Sequence, residues 1–265
     1  MTIEQLKSHA LSARRDIVSM IYESGIGHPG GALSIIDILT WIYDEEVDFS
    51  VSPRARVVMS KGHAVAAQYA MLYQKGIINR SEFSSFRQIN SRLQGHPSIK
   101  SIPEVDATTG LLGQGLSIAF GMAAAKKQHG ENQRVFAIIG DGEMHEGQIW
   151  ETLQQAGHMK MDNLVAIIDY NGFSSHDPVN QVINLEPLAD KIRHFGWHVL
   201  ELQNGNDMHQ VADTLLLSRH LKGKPVAIIA HTTKGCGVSY MENNGDWHSK
   251  TPTTEQYQQA MEELQ

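Results

Sequence analysis

Two short apolar runs, each emptying into a glycine-flanked acidic turn, constrain this chain more than any other feature. Val135–Ile139 runs into Gly140-Asp141-Gly142, and Leu164–Ile168 runs into Asp169-Tyr170-Asn171-Gly172. Neither run alternates apolar with polar residues, so each calls for burial on both faces, as in a parallel sheet. Similar runs at Arg56–Met59, Trp197–Leu202 and Pro225–Ala230 predict further strands. Helical spacing separates them, over Gln114–Lys127, Met144–His158, 187–194 and Met208–Leu217, and a closing helix follows Thr253, with Gln256 completing a capping box. The alternation predicts an α/β fold, a parallel sheet with helices on both faces, whose ligands sit beyond the carboxyl ends of the strands. Ahead of it lie a helix capped by Thr2 and Gln5 and ending near Gly25, a glycine-rich loop Gly25–Gly31, and an apolar helix Leu33–Tyr43. A helix His63–Gln74 and a long loop over residues 80–113, rich in Ser, Pro and Gly, complete the N-terminal part. With no repeat or linker in view, residues 1–265 are expected to form one domain with an N-terminal helical and loop extension.

Composition removes several function classes. Lys and Arg number 22 against 29 Asp and Glu, a net charge of −7, so the chain is a poor nucleic-acid binder. A single cysteine, Cys236, excludes an internal disulfide framework and a cysteine-based zinc site. No apolar run approaches the length of a membrane span, and the start of the chain has helical spacing rather than a signal peptide's apolar block. The expectation is a cytoplasmic protein without nucleic-acid or membrane partners. The 23 glycines and 14 histidines are the conspicuous excess, and His28, His63, His96 and His158 each directly follow a glycine. His158 falls at a helix end, where capping is the simpler role.

In a parallel sheet the two acidic turns fall on one edge, which sets Asp141 and Asn171 across a short gap. Two such oxygen donors suit a hard cation that completes its shell from phosphate and water. The glycines around Asp141 let a diphosphate approach the backbone, and the helix that follows is expected to point its N-terminus at that anion. Each turn is also a common sequence in itself. A nicotinamide site is disfavoured, because no GxGxxG follows any strand.

GDG followed by 28 residues and Asn resembles the thiamine diphosphate motif. Other segments resemble those of transketolases in the same order: Gly27-His28-Pro29-Gly30-Gly31, Ser60-Lys61-Gly62-His63-Ala64, Gly95-His96-Pro97, and Thr108–Gly115 with Leu111 where proline is usual. The extended box Gly140–Glu151, and Thr233–Val238 with Trp247-His248, complete the set. The chain therefore resembles the diphosphate-binding half of a transketolase. That resemblance implies thiamine diphosphate and magnesium or calcium as cofactors. It implies Asp141, Asn171 and the Phe173 carbonyl as metal ligands. Contacts to the cofactor are implied for His63, Gly110, Leu111, Leu112, Gly113, Gln114, Gly142, Asn171 and His248. His28, His96 and His248 would line the substrate channel, where imidazoles hydrogen-bond hydroxyls and move protons. Glu146 and Glu151 match carboxylates that link two cofactor sites across a dimer, where buried carboxylates share a proton. Lys61 is open to two readings, a phosphate contact or a solvated lysine, and nothing beside Cys236 in sequence activates it.

In that family a glutamate on a second, pyrimidine-binding domain activates the cofactor. No further parallel α/β domain fits after residue 250, so the expectation is the N-terminal subunit of a split transketolase. It would transfer a two-carbon ketol unit from a ketose phosphate to an aldose phosphate, inactive alone, in a heterotetramer with a C-terminal subunit carrying that domain. The alternatives are a subunit like those of deoxyxylulose-phosphate synthase or 2-oxo acid dehydrogenases, and a non-catalytic regulatory subunit.

Overall fold

The computed structural model describes residues 1–265. Five strands, β1 (Arg56–Met59), β2 (Val135–Gly140), β3 (Leu164–Tyr170), β6 (His198–Leu202) and β7 (Val226–His231), form one sheet. Their order is β1-β2-β3-β7-β6 and every pairing is parallel. The pleat divides each apolar run between two cores. Val57, Met59, Phe136, Ile138, Val165 and Ile167 face one cluster of 51 buried residues; Val58, Ala137, Ile139, Ala166 and Ile168 face the other, of 23. Helices α1 (Ile3–Ser24), α2 (Pro29–Glu45), α3 (Val65–Gln74) and α8 (Met208–His220) contribute to the larger core. Helices α4 (Gly115–Gln128), α5 (Gly147–His158) and α7 (Leu188–His194) cover the other face. Helix α9 (Thr254–Glu263) packs on α1, stacking Tyr257 on Tyr22. The capping boxes at Thr2 with Gln5 and at Thr253 with Gln256 are both formed. No helix is long and apolar enough to cross a membrane.

Two local expectations are corrected, and one small element is added. Helix α2 starts at Pro29, so Gly30 and Gly31 belong to its first turn rather than to a loop. Pro29 suits N1 because its fixed φ is helical and it lacks an N–H that would go unused there. Glycine is required at 30, where a Cβ would stand 2.8 Å from the Trp247 carbonyl oxygen. Between Asp141 and α5 lies a separate turn, Gly142–His145, so α5 begins only at Gly147. A small hairpin of β4 (Phe173–Ser174) and β5 (Asp177–Pro178), leading into the single turn α6 (Val179–Val182), has no counterpart in the sequence pattern. Two residues per strand are too few to show a period.

The carboxyl ends of β1, β2, β3 and β7 meet at a fully buried carboxylate, Asp169. It accepts from the Lys61 Nζ beyond β1, from Ser34 Oγ of α2 at 2.6 Å, from Asn171 Nδ2 at 3.0 Å and from Thr232 Oγ1 beyond β7. Lys61 is 1% exposed and its ammonium also donates to the Gly31 carbonyl at 2.8 Å, which excludes the solvated reading. Removing one partner of such a pair strands the other charge in a dry environment. Asp169→Ala should therefore lower unfolding free energy by about 3–5 kcal/mol in urea denaturation. A Lys61→Met/Asp169→Leu double substitution should recover most of that loss; equal losses in both variants would show that the pair is not what holds these strand ends.

Candidate active site

A cleft of about 190 Å³ opens at these strand ends. Its walls come from four loops: His63 after β1, the Gly140–Glu143 turn after β2, Asn171 and Phe173–Ser175 after β3, and Lys234 with His248 after β7. The α-helical turn that borders it is the start of α2, through Gly31, not that of α5. Register places Gly140 opposite Asp169, which carries Asp141 to within reach of the β3 loop. Asp141 is 1% exposed and accepts from Gly172 N at 2.6 Å and Gly142 N at 2.8 Å. No side-chain cation pairs with it, since Lys61 is engaged by Asp169. Burial, and then the nearby Asp169 charge, push its carboxyl up to about 7. Asn171 Oδ1 accepts from Phe173 N at 3.2 Å, so Asp141, Asn171 and the Phe173 backbone converge. No three His, Cys, Asp or Glu side chains gather as a metal site on their own. The donor set therefore fits a hard cation that takes oxygen ligands from protein and phosphate together. A Cβ at Gly142 would stand 2.9 Å from Ser174 Cα, so only glycine leaves the backbone there open to a ligand.

Two charged groups, Lys234 and Glu143, carry no assigned role in the sequence reading, and a third, Lys61, is left there between two. Lys234, 2% exposed, donates to the Ser175 carbonyl at 2.5 Å, lies over the Phe173 ring and has no carboxylate partner. Burial and then the Lys61 charge lower its ammonium to about 8. An anion in the cleft would meet this unpaired cation directly. Glu143, 2% exposed, accepts from Ser60 Oγ, from Gly113 N at 2.9 Å and from Gly140 N at 3.2 Å. Burial raises its carboxyl, and the three donors tie the β1 and β2 ends to the 108–115 segment. Lys61 is the third. Their partners lie 30 to 108 residues away by numbering for all but Gly140, so local sequence held no signal beyond their place after a strand end.

The structure gathers the histidines only in part with the cleft. His28, His63 and His248 form a triangle of rings, with centroids 5.4, 5.3 and 5.0 Å apart. His96 packs beside Gly110, where a Cβ would come 3.0 Å from its ring. His63 and His248 line the cleft, together with Leu112, Gly142, Asn171 and Phe173; His28 and His96 stand beside it. Gly110, Leu111, Gly113 and Gln114 lie in the adjoining turn and do not line the cleft; Leu111 is 73% exposed. Glu146 and Glu151 are exposed at the start of α5, not buried as a pair, and Glu146 packs against the Gly113 turn. His158 is exposed at the C-terminal end of α5. Cys236 is half-buried; burial raises its thiol despite Arg14, whose Nη2 is 3.7 Å from Sγ.

Comparison with known proteins places this geometry. The family model described as transketolase, thiamine diphosphate binding domain, matches residues 7–264. The chain is 39% identical to one of the subunits of an apulose-4-phosphate transketolase from Phocaeicola vulgatus, over all of this chain and 95% of that one. It is 35% identical to a 6-deoxy-6-sulfo-D-fructose transketolase subunit from a Clostridium species, over 98% of this chain and 96% of that one. The solved transketolase of Leishmania mexicana superposes with a TM-score of 0.93 at 29% identity. That match covers all of this chain but 41% of the other, so the chain spans about two fifths of that longer protein.

The imidazole cluster gives a measurable pH signature. Burial first, then Arg87, His96 and Lys234, lower His28 to about 4; burial, then Lys234, His28, His176 and Lys61, lower His248 to about 3. Unfolded histidines titrate near 6.5. Above that pH neither state takes a proton and these groups add no pH dependence. As pH falls from about 6.5 towards 4 the unfolded chain binds protons that the folded chain refuses, so stability is lost. A His28→Asn/His248→Asn variant should show a shallower fall of urea midpoint across this window than the native chain. Parallel curves would mean that the cluster is not held neutral.

Proposed function

The chain belongs to the transketolase family through its thiamine diphosphate binding domain, and from that premise we propose that it is the diphosphate- and metal-holding subunit of a split transketolase. The reaction is transfer of a two-carbon ketol unit from a ketose phosphate to an aldose phosphate. The observation that carries this reading is the buried Asp141 carboxylate without a cation, facing Asn171 and the unpaired Lys234 in a cleft too small for a whole cofactor. Pockets that enclose a drug-sized ligand measure about 300–1,000 Å³, against about 190 Å³ here. One end of thiamine diphosphate fits; the rest is for a partner to cover.

Asp141, Asn171 and the Phe173 carbonyl would hold magnesium or calcium against the diphosphate. Lys234 would neutralise phosphate charge from one wall, with His63, His248 and Gly142 on the others. Bound thiamine diphosphate supplies the electron sink for breaking and forming a carbon–carbon bond. The chain's own part is to fix that group and to present neutral imidazoles to the sugar. An imidazole that stays neutral at working pH both donates and accepts, so His96 and His248 can orient hydroxyls and relay a proton, while His28 can orient a hydroxyl through its N–H. Glu146, beside the Gly113 turn, and Glu151, also exposed on α5, would meet a second copy of the chain. The partner is a C-terminal subunit with the pyrimidine-binding domain and its activating glutamate, two of each chain making a heterotetramer in the cytoplasm. Relatives named for apulose-4-phosphate and for a sulfosugar support an anionic sugar as substrate.

Calorimetry of thiamine diphosphate with magnesium should lose its binding signal in Asp141→Ala, by a hundredfold or more on the scale of a lost buried charge pair, ~3–5 kcal/mol. Unchanged affinity would refute the metal assignment. Ketol transfer should be absent from the chain alone and present when it is mixed with the product of the neighbouring reading frame. Activity of the chain by itself would overturn the split arrangement.

A further inference from the structure

Arg87 has no role in the cofactor site described above, yet its setting is built with care. It lies in the irregular segment between α3 and α4, and its backbone has φ +61°, a left-handed conformation that non-glycine residues rarely adopt. The backbone is held by an N–H donated to the Leu93 carbonyl at 2.8 Å. Its guanidinium lies against Gly95, where a Cβ would come 3.0 Å from Cζ and 3.1 Å from Nε. A side chain at 95 would push the guanidinium away. No carboxylate pairs with Arg87, unlike Arg14, Arg54, Arg56, Arg80, Arg92, Arg134, Arg193 and Arg219. Its one side-chain partner is an imidazole: Nη1 stands 3.2 Å from His28 Nδ1.

A guanidinium has donors and no acceptor. The hydrogen bond is therefore possible only if His28 Nδ1 carries a lone pair. We propose that Arg87 is a positioning residue that locks His28 in the neutral tautomer with its proton on Nε2. Seated on Gly95 by a strained backbone, it does by hydrogen bonding what a carboxylate does in the opposite sense elsewhere. A carboxylate behind a histidine accepts from Nδ1–H and stabilises the imidazolium. Arg87 donates to Nδ1 and makes the imidazolium unfavourable, both by occupying the second nitrogen and by its charge. His28 then offers an N–H and never a cation. Two other groups facing His28 act in the same direction, His96 from the same segment and Lys234 from the loop after β7, and the rings of His63 and His248 also face it. Arg87 is the one among them bonded to the ring.

The inference takes its functional meaning from the transketolase reading, but its test does not depend on activity. Long-range proton–nitrogen spectra of the chain, labelled at histidine nitrogen, report tautomer and titration ring by ring. The native chain should show His28 as the Nε2–H form at neutral pH, titrating well below the ordinary histidine range. Arg87→Met should give a mixture of tautomers and an upward titration shift, while Arg87→Lys, which keeps the charge and one donor, should restore part of the native pattern. Gly95→Ala moves the guanidinium without removing it and should reproduce the Arg87→Met spectrum, which covers the case of Arg87→Met failing to fold. An Nδ1–H tautomer in the native chain, or unchanged His28 signals in the folded variants, would overturn the proposal. In the mixture with its partner, Arg87→Met should lower kcat on the order of tenfold, with KM for the cofactor little changed and an acid limb moved to higher pH. Silence of the native mixture, with the spectra as expected, counts against the transketolase reading and leaves the tautomer lock standing.

Discussion

The buried ion pair of Asp169 and Lys61 is the constraint on which the site depends. A parallel sheet brings its strand ends to one edge but leaves the loops beyond them free to wander. Asp169 removes that freedom by accepting from four donors that belong to four different segments. It orients Asn171, engages Lys61, and binds the start of α2 to the start of the loop after β7. Asp141 is left without a cation because Lys61 is already taken. The metal site proposed here would thus be a consequence of how its neighbour is neutralised.

Much of this was legible in the sequence, for identifiable reasons. Apolar runs such as Val135–Ile139 and Leu164–Ile168 admit one interpretation, because a strand with no polar face must be covered on both sides. Their order along the sheet is not in the pattern, but the turns after them are, and the direct pairing of β2 with β3 brings Asp141 and Asn171 together. The helix start at Pro29 was hidden by its glycines, which serve a packing need visible only when Trp247 and Lys234 are folded onto them. The hairpin over 173–178 is too short to show a period. Glu143, Lys61 and Lys234 look like ordinary surface charges in a string of letters. Their burial rests on partners such as Ser60, Gly113 and Ser175, and no local window contains those. Glu146 and Glu151 point the other way: the expectation of a buried pair came from an assembly, and in one chain they are on the outside.

The electrostatic character of the site is unusual in how its charges are divided. The carboxylates are at the floor, paired or tied to backbone N–H groups. The histidines stand above them, kept neutral by burial and by surrounding cations. Arg87 and Lys234 bring positive charge without a carboxylate to cancel it. A cluster of imidazoles under such a field acts as a set of dipoles rather than ions, which suits recognition of hydroxyl groups more than of a charged carboxylate.

The small volume of the cleft has a thermodynamic consequence. A pocket that closes on only one end of its ligand leaves the other end for a second protein surface to bury. Ligand binding and docking of the two chains are then halves of a single equilibrium, and linkage makes their coupling reciprocal. Whatever factor the partner adds to the affinity for the small molecule, the small molecule returns to the affinity between the chains. In the proposed two-chain arrangement, the concentration of one polypeptide becomes a control on cofactor loading of the other.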